Sequence, residues 1–294
     1  MAINRLLTVT HDQPLLAYLL KALGLRRVVV KDLLKHGAVS VNGATVRQFD
    51  RVLLPGDKVT LCSLQTAAAT RLLKQVRIRL VYEDDALIVV DKPSGLLTVT
   101  TDCEKTDTLY FRLNEYLRGR NSARPERALV VHRLDQETSG LMLFAKSESV
   151  KRLLQNAWPT VAKTYHAVVQ GRPPLNQGTI TNHLIEDSRS LKVFGNDRPI
   201  AGSRLAITHY RVLKTRGELS LVEVRLGTGR KHQIRVHLAS LGCPVAGDRR
   251  YGNRSDSCRR LALHAGGLVL VHPLTGERLN FASSLPNALQ ELLL

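Results

Sequence analysis

The chain has 294 residues, 44% of them apolar, enough for one large domain and a small one at roughly 100–200 residues per domain. Its 43 Lys and Arg outnumber its 25 Asp and Glu, for a formal net charge of +18. An excess of that size goes beyond what solubility asks for and points to a polyanionic partner. No apolar run approaches the ~18 residues of a bilayer span, and no signal-peptide core precedes His11 and Asp12. The four cysteines (Cys62, Cys103, Cys243, Cys258) form no C-x-x-C pair. No membrane partner, no metal site and a cytoplasmic location with reduced thiols are therefore expected.

Residues 1–62 read as a small module. An apolar stretch at Leu15–Leu23 predicts a helix, and a second is expected over 25–36 with Gly37 as its stop. Val30, Leu33 and Leu34 fall on one face of the second helix. Arg27, Lys31 and Lys35, spaced four apart, line another. Most charge stripes are solvated faces. Beside this net charge, phosphate contact is expected of this one, which positions a nucleic acid without reading its bases. Asn42-Gly43 between 38–41 and 44–46 signals a hairpin, and Leu54-Pro55-Gly56-Asp57 a turn before a strand ending near Leu61. Two helices followed by this hairpin and turn resemble the S4 RNA-binding domain. His11-Asp12-Gln13-Pro14 stands where that family opens with Arg-Leu-Asp.

Residues 63–77 are expected to be a linker, featureless at 67–70 and basic at 71–77. From Ile78 the character changes. Strands are predicted at 79–82 and 86–90 around the acidic turn Glu83-Asp84-Asp85, then at 141–145, 164–169, 205–212, 220–226 and 268–271. Helices are predicted at 149–156, 232–241 and 287–293. Without regular βαβ alternation, residues 78–294 read as one α+β domain with a mixed, mainly antiparallel sheet.

Taken alone, Asp135 would be a turn or helix cap, Tyr165 a strand aromatic and Arg235 a surface cation. His232 and His237 are five apart, the wrong spacing for two ligands on one helix face, and no zincin motif accompanies them. Gly227-x-Gly229 hints at a dinucleotide loop, but His232 stands where the third glycine belongs. The histidines are therefore expected to be structural or RNA-contacting.

The segment Val131-His132-Arg133-Leu134-Asp135-Gln136-Glu137-Thr138-Ser139-Gly140-Leu141 changes this. It resembles the H-R-L-D-x-x-T-S-G-L motif of the RluA-type pseudouridine synthases at every defined position. Three further segments are similar to that family in order and spacing: Lys92-Pro93-Ser94-Gly95-Leu96, Lys163-Thr164-Tyr165-His166-Ala167, and Gly229-Arg230-Lys231-His232-Gln233-Ile234-Arg235-Val236-His237. Gly247-Asp248, Tyr251-Gly252 and 261–265 complete the pattern.

The resemblance implies a uridine-to-pseudouridine isomerase acting on structured RNA, ribosomal rather than transfer RNA, as a monomer. Moving uracil from an N1 to a C5 linkage involves no redox step and no external energy, so no cofactor is expected. It does need an ionised carboxylate near C1′, either as a nucleophile or as a base that leaves a glycal. The resemblance gives that role to Asp135 and makes Arg235 the guanidinium that opposes its desolvation. Extruding a stacked uridine costs a few kcal/mol, and the resemblance assigns the gap-filling to Arg133. Tyr165 is expected to stack on the loosened base, with its hydroxyl near the C5 proton, and Leu263 to pack the other side of the ring.

Other function classes fit less well. Asp135 with Glu137 suits a glycoside hydrolase, yet +18 suits RNA better than neutral sugar. A non-catalytic relative would be expected to have lost Asp135 or Arg235. A stacking single-strand binder needs an aromatic cluster, and seven Tyr, five Phe and one Trp are scattered along the chain.

Overall fold

The computed structural model describes residues 5–62, 67, 70, 71, 73, 75–100, 104–120, 126–252 and 258–294. It divides into two units: Met1–Arg77 with Arg112–Arg127, and Ile78–Phe111 with Ala128–Leu294. The chain thus divides between Arg77 and Ile78, and 112–127 group with the first unit. Most of the expected linker (63–66, 68, 69, 72, 74) lies outside the described residues, as does Cys103. The linker's described residues 67, 70, 71, 73 and 75 are helical rather than featureless.

In the first unit, helices Leu15–Leu23 and Arg27–Lys35 bury Leu15, Leu16, Leu19, Val30, Leu33 and Leu34. They share a core with Val39, Val41, Val59 and Leu61 of the sheet. The second helix ends at Gly37, whose φ of +74° only glycine adopts freely. There the amide of Ala38 reaches back to the Leu33 carbonyl and that of Gly37 to the Leu34 carbonyl, which closes the helix as a Schellman motif. The strands are β1 (Arg5–Thr8), β2 (Gln13–Pro14), β3 (Val39–Val41), β4 (Ala44–Thr45), β5 (Val52–Leu53) and β6 (Lys58–Leu61). Four form an antiparallel sheet in the order β1-β6-β3-β4, and β2 pairs with β5. Asn42 and Gly43 both have positive φ, as a two-residue hairpin turn requires. The Asn42 amide also donates to Asp57 at 2.7 Å, joining the two turns.

The second unit is built on β7 (Arg79–Glu83), β8 (Leu87–Lys92), β9 (Leu129–Val130), β10 (Ser139–Ala145), β11 (Ala162–Gln170), β12 (Gln177–Glu186), β13 (Val193–Asn196), β14 (Arg204–Arg216), β15 (Leu219–Leu226), β16 (Leu263–Val271) and β17 (Arg278–Ala282). Nine of these run in the order β13-β12-β14-β15-β11-β16-β10-β8-β7, with β17 on β16 and β9 on β10. Among the named strands of the described residues only β10 and β16 pair in parallel; their other pairings are antiparallel, so the mixed α+β fold is the observed one. Every residue of β10 is buried, as expected of a central strand covered on both faces. Helix Glu148–Ala157, capped by the Ser147 hydroxyl, packs Val150 and Leu154 onto it. Helix Gln233–Ser240 buries six of its residues in succession, Arg235 and His237 among them. Strands β9, β12, β13 and β17 and the helix Leu109–Arg120 add to the predicted elements. Among the described residues no helix is long and apolar enough to cross a membrane.

The three central strands meet closely. Tyr165 of β11 lies opposite Ala265 of β16, which lies opposite Gly140 of β10. Gly140 has φ +118°, and a Cβ there would overlap the Ala265 backbone. On the other side, the pairing of β16 with β11 skips Gly266, with Thr164 opposite Gly267 and Tyr165 opposite Ala265. Replacing Gly140 with Ala is expected to destabilise this unit by at least about 2 kcal/mol, read as a lowered urea midpoint with an unchanged m-value.

Candidate active site

Asp135 sits on the loop leading into β10, and that loop is fixed through its carbonyls. The Thr98 hydroxyl donates to Leu134 O at 2.7 Å. The Thr138 amide donates to Asp135 O at 3.1 Å. Gln136 O accepts from the Gly95 amide at 2.9 Å and from Lys92 Nζ at 3.0 Å. The Ser94 hydroxyl donates to Glu137 O at 2.6 Å. Thus the Lys92-Pro93-Ser94-Gly95 segment forms a cradle for the loop.

Lys92 is fully buried, and its Nζ also donates to Pro93 O at 3.0 Å and Leu96 O at 2.8 Å. Burial pulls its pKa down to about 7, against the charge of Asp135. Only the ammonium form has the three N–H bonds that these three carbonyls take up.

Arg235 is the buried centre of the site. Its Nε and Nη2 donate to Asp248 Oδ2 and Oδ1, both at 2.7 Å, a bidentate pair between two buried side chains. Its remaining nitrogen, Nη1, points to Asp135 Oδ2 at 3.5 Å. Burial alone would lower the Arg235 pKa; the hydrogen bonds and charge of Asp248, then Asp135, leave it raised. Burial likewise pushes the Asp248 carboxyl up, and Arg235 with the amides of Arg250 and Tyr251 brings it below its usual value. The guanidinium also lies 5.2 Å over the Tyr251 ring.

Asp135 and Arg235 open onto one cavity. Arg133, Asp135, Tyr165, Arg235 and Leu263 all line it, with His232, Arg230, Gln233 and Thr138. Five side chains singled out from separate stretches of the sequence are therefore brought together. Burial, then the charge of Asp135, pushes the Tyr165 phenol well above its usual range, so the ring is presented with its hydroxyl protonated. Arg27, Lys31 and Lys35 lie elsewhere, exposed on their helix in the first unit, with Lys31 Nζ 5.5 Å over the Phe49 ring.

The histidines divide. His132 accepts from the Leu143 amide at 3.0 Å, stacks on Trp158 and is driven to a pKa of about 3, first by burial and then by Lys163. His237 is buried and bonded to Asn182 Oδ1 at 2.8 Å. Both are structural. His232 faces the cavity, with Nε2 at 3.8 Å from Asp135 Oδ2. Asp248 and Tyr251 were given no role by the sequence, and His232 was expected only to be structural or RNA-contacting. Asp248 lies beyond the end of the helix that carries Arg235, where neither helical nor strand periodicity pairs the two.

A family model describing RNA pseudouridylate synthases matches residues 86–240. The chain belongs to this family. An RNA pseudouridine synthase of Bacillus subtilis, YlyB, is 36% identical over 273 residues, covering 91% of this chain and 88% of the relative. The ribosomal large subunit pseudouridine synthase D of Zymomonas mobilis is 33% identical over 285 residues, with the same coverage of each. Among solved structures, human RNA pseudouridylate synthase domain containing 4 superposes with a TM-score of 0.61 at 27% identity, over 77% of this chain and 94% of that one. The protein is thus an RNA pseudouridine synthase of RluA type, an isomerase that moves uracil from an N1 to a C5 linkage.

Replacing Asp248 with Asn removes the charge that offsets a buried guanidinium. The expected loss is about 3–5 kcal/mol of stability at neutral pH, measured by denaturant unfolding. Because the folded-state pKa of Asp248 is depressed, the wild-type contribution is full above the unfolded value. It is lost as pH falls through the folded one. The stability gap between wild type and variant should therefore narrow on acidification.

Proposed function

We propose that Asp135 is the essential carboxylate of the isomerisation and that the substrate is ribosomal RNA. The observation that carries the first part is the convergence of Asp135, Arg235, Tyr165, Arg133 and Leu263 on one cavity. A carboxylate about one-third exposed, with one oxygen toward a buried guanidinium, suits attack at C1′ or removal of a ribose proton. Arg133, exposed at the mouth, fills the space left by the extruded uridine. Tyr165 stacks on the loosened uracil, an interaction worth about 1–3 kcal/mol, while buried Leu263 packs the opposite face. No cofactor enters this scheme, because bond breaking and making conserve electrons within the nucleotide.

The second part rests on relatives named ribosomal large subunit pseudouridine synthases D and C, the latter from Rickettsia bellii at 33% identity. The first unit acts as an S4-like module. Its exposed Arg27, Lys31 and Lys35 hold phosphates while the second unit, working as a monomer, does the chemistry.

Replacing Asp135 with Asn should abolish conversion while RNA affinity stays within about twofold, measured by carbodiimide primer extension and filter binding. Wild-type turnover in that variant would falsify the assignment. The same primer-extension map, made on ribosomal RNA from cells with and without the gene, should lose at least one pseudouridine; an unchanged map would redirect the search to transfer RNA. Binding should weaken steeply with salt as phosphates release counterions. Neutralising Arg27, Lys31 and Lys35 together should flatten that dependence, and an unaltered slope would remove this helix from the interface.

A further inference from the structure

The two oxygens of Asp135 are not equivalent. Arg235 Nη1 lies 3.5 Å from Oδ2 and His232 Nε2 lies 3.8 Å from the same atom. Both nearest cationic contacts thus fall on Oδ2, and among the described residues no hydrogen bond reaches Oδ1. We infer that His232 is a positioning residue which, with Arg235, anchors Oδ2 and so reserves Oδ1 for the ribose, and that Tyr251 selects the imidazole tautomer able to do it. This rests on the reading of Asp135 as the essential carboxylate.

The backbone gives the first support. His232 has φ 54° and ψ 13°, a left-handed conformation at the entrance to helix Gln233–Ser240. Outside glycine such a conformation costs of order 1–3 kcal/mol and persists where the surroundings over-determine it. Here Gln233, the next residue, accepts from the Arg230 amide and the Thr228 hydroxyl and donates to Ile207 O and Thr208 Oγ1, all at 2.9 Å. The turn is thereby locked, and the imidazole is aimed into the cavity.

Proton bookkeeping gives the second. Tyr251 Oη accepts the Val193 amide at 2.9 Å and sits 2.8 Å from His232 Nδ1. Among the described residues the acceptor within hydrogen-bond reach of the Tyr251 hydroxyl proton is His232 Nδ1, so the phenol donates there while its oxygen takes the Val193 amide. Burial lowers the His232 pKa more than Asp135 raises it, which favours the neutral ring. A neutral imidazole whose Nδ1 accepts must carry its proton on Nε2, the atom that faces Asp135. The other tautomer would turn a lone pair toward a carboxylate. At 3.8 Å the Nε2–Oδ2 contact is longer than a hydrogen bond, as catalytic contacts often are before substrate closes the site.

The test combines kinetics with spectroscopy. His232→Phe should lower kcat by about 10–100-fold, the range typical of groups that orient a reacting ligand, with KM for RNA within about twofold. His232→Gln, which keeps an N–H donor, should recover most of that loss. Long-range ¹H–¹⁵N spectra of histidine-labelled protein, with position 232 assigned by its disappearance in His232→Gln, should show the Nε2–H tautomer. In Tyr251→Phe that tautomer should give way to a mixture, and kcat should fall by about tenfold. An Nδ1–H tautomer in the wild type, or wild-type kcat in a folded His232→Phe protein, overturns the inference. Should His232→Phe not fold, the spectra and Tyr251→Phe decide it. Asp135→Asn is assayed alongside: if it is inactive while the His232 and Tyr251 variants turn over normally, only this inference fails. If Asp135→Asn is itself active, the reading of Asp135 has failed.

Discussion

A guanidinium taken out of water must be matched by negative charge held in place, and the second unit is arranged to satisfy Arg235. Two buried charges would each cost several kcal/mol alone, and they recover it only when the geometry is good. Arg235 meets that condition with Asp248 through two parallel hydrogen bonds. Asp248 is held in turn by the amides of Arg250 and Tyr251 at 2.9 and 3.0 Å. Only Nη1 is left to serve Asp135. The sequence assigns Arg235 one partner, the catalytic carboxylate. The structure shows that its main partner is another carboxylate, and this frees Asp135 from a purely structural task. A bidentate grip on Asp135 would have tied up both of its oxygens.

The remaining architecture delivers Asp135 to that point. Its loop enters β10 just before Gly140, where β10 and β16 run parallel and touch with no room for a side chain. One strand further on, β11 supplies Tyr165 beside a register shift. Leu263 begins β16 itself. Three adjacent strands and one buried helix therefore bring together residues that are remote in sequence. The cradle at Lys92–Gly95 takes up the loop's carbonyls, so the loop has few alternatives to the conformation that presents Asp135.

What the sequence disclosed followed from how local each determinant was. The Asn42-Gly43 turn, the Gly37 helix stop and the Leu54–Asp57 turn depend on residues within a few positions, and all three form as read. Central strands were legible as continuous apolar runs, β10 most clearly. Strand β12 was not: it alternates exposed and half-buried residues through Gln177, Thr179 and Thr181 and is secured by pairing with β14. Strand β13 is short and held against β12. The helix Leu109–Arg120 did carry a signal, since Leu109, Leu113, Tyr116 and Leu117 recur at helical spacing and are all buried. The five cavity residues were named through motif resemblance, which carries tertiary proximity implicitly. Tyr251 stood inside the same motifs and gained no role, and His232 was read only as structural or RNA-contacting. A left-handed backbone, and a hydrogen bond between a helix entrance and a distant loop, leave no periodic trace.

Exposure across the site is graded, and the grading matches the tasks. The Arg235 and Asp248 side chains are 5% and 0% exposed, so their positions are set by folding and do not wait for substrate. Asp135 is 32% exposed, open enough to meet a ribose while its backbone stays fixed by the cradle. Arg133, two residues earlier, is exposed, so its long side chain keeps its conformational freedom in the folded protein. Electrostatic stabilisation of a reaction is most effective from groups already in place, since reorganising charges during the chemical step would add to the barrier. Rigidity is therefore concentrated at the buried ion pair and freedom at the rim of the cavity.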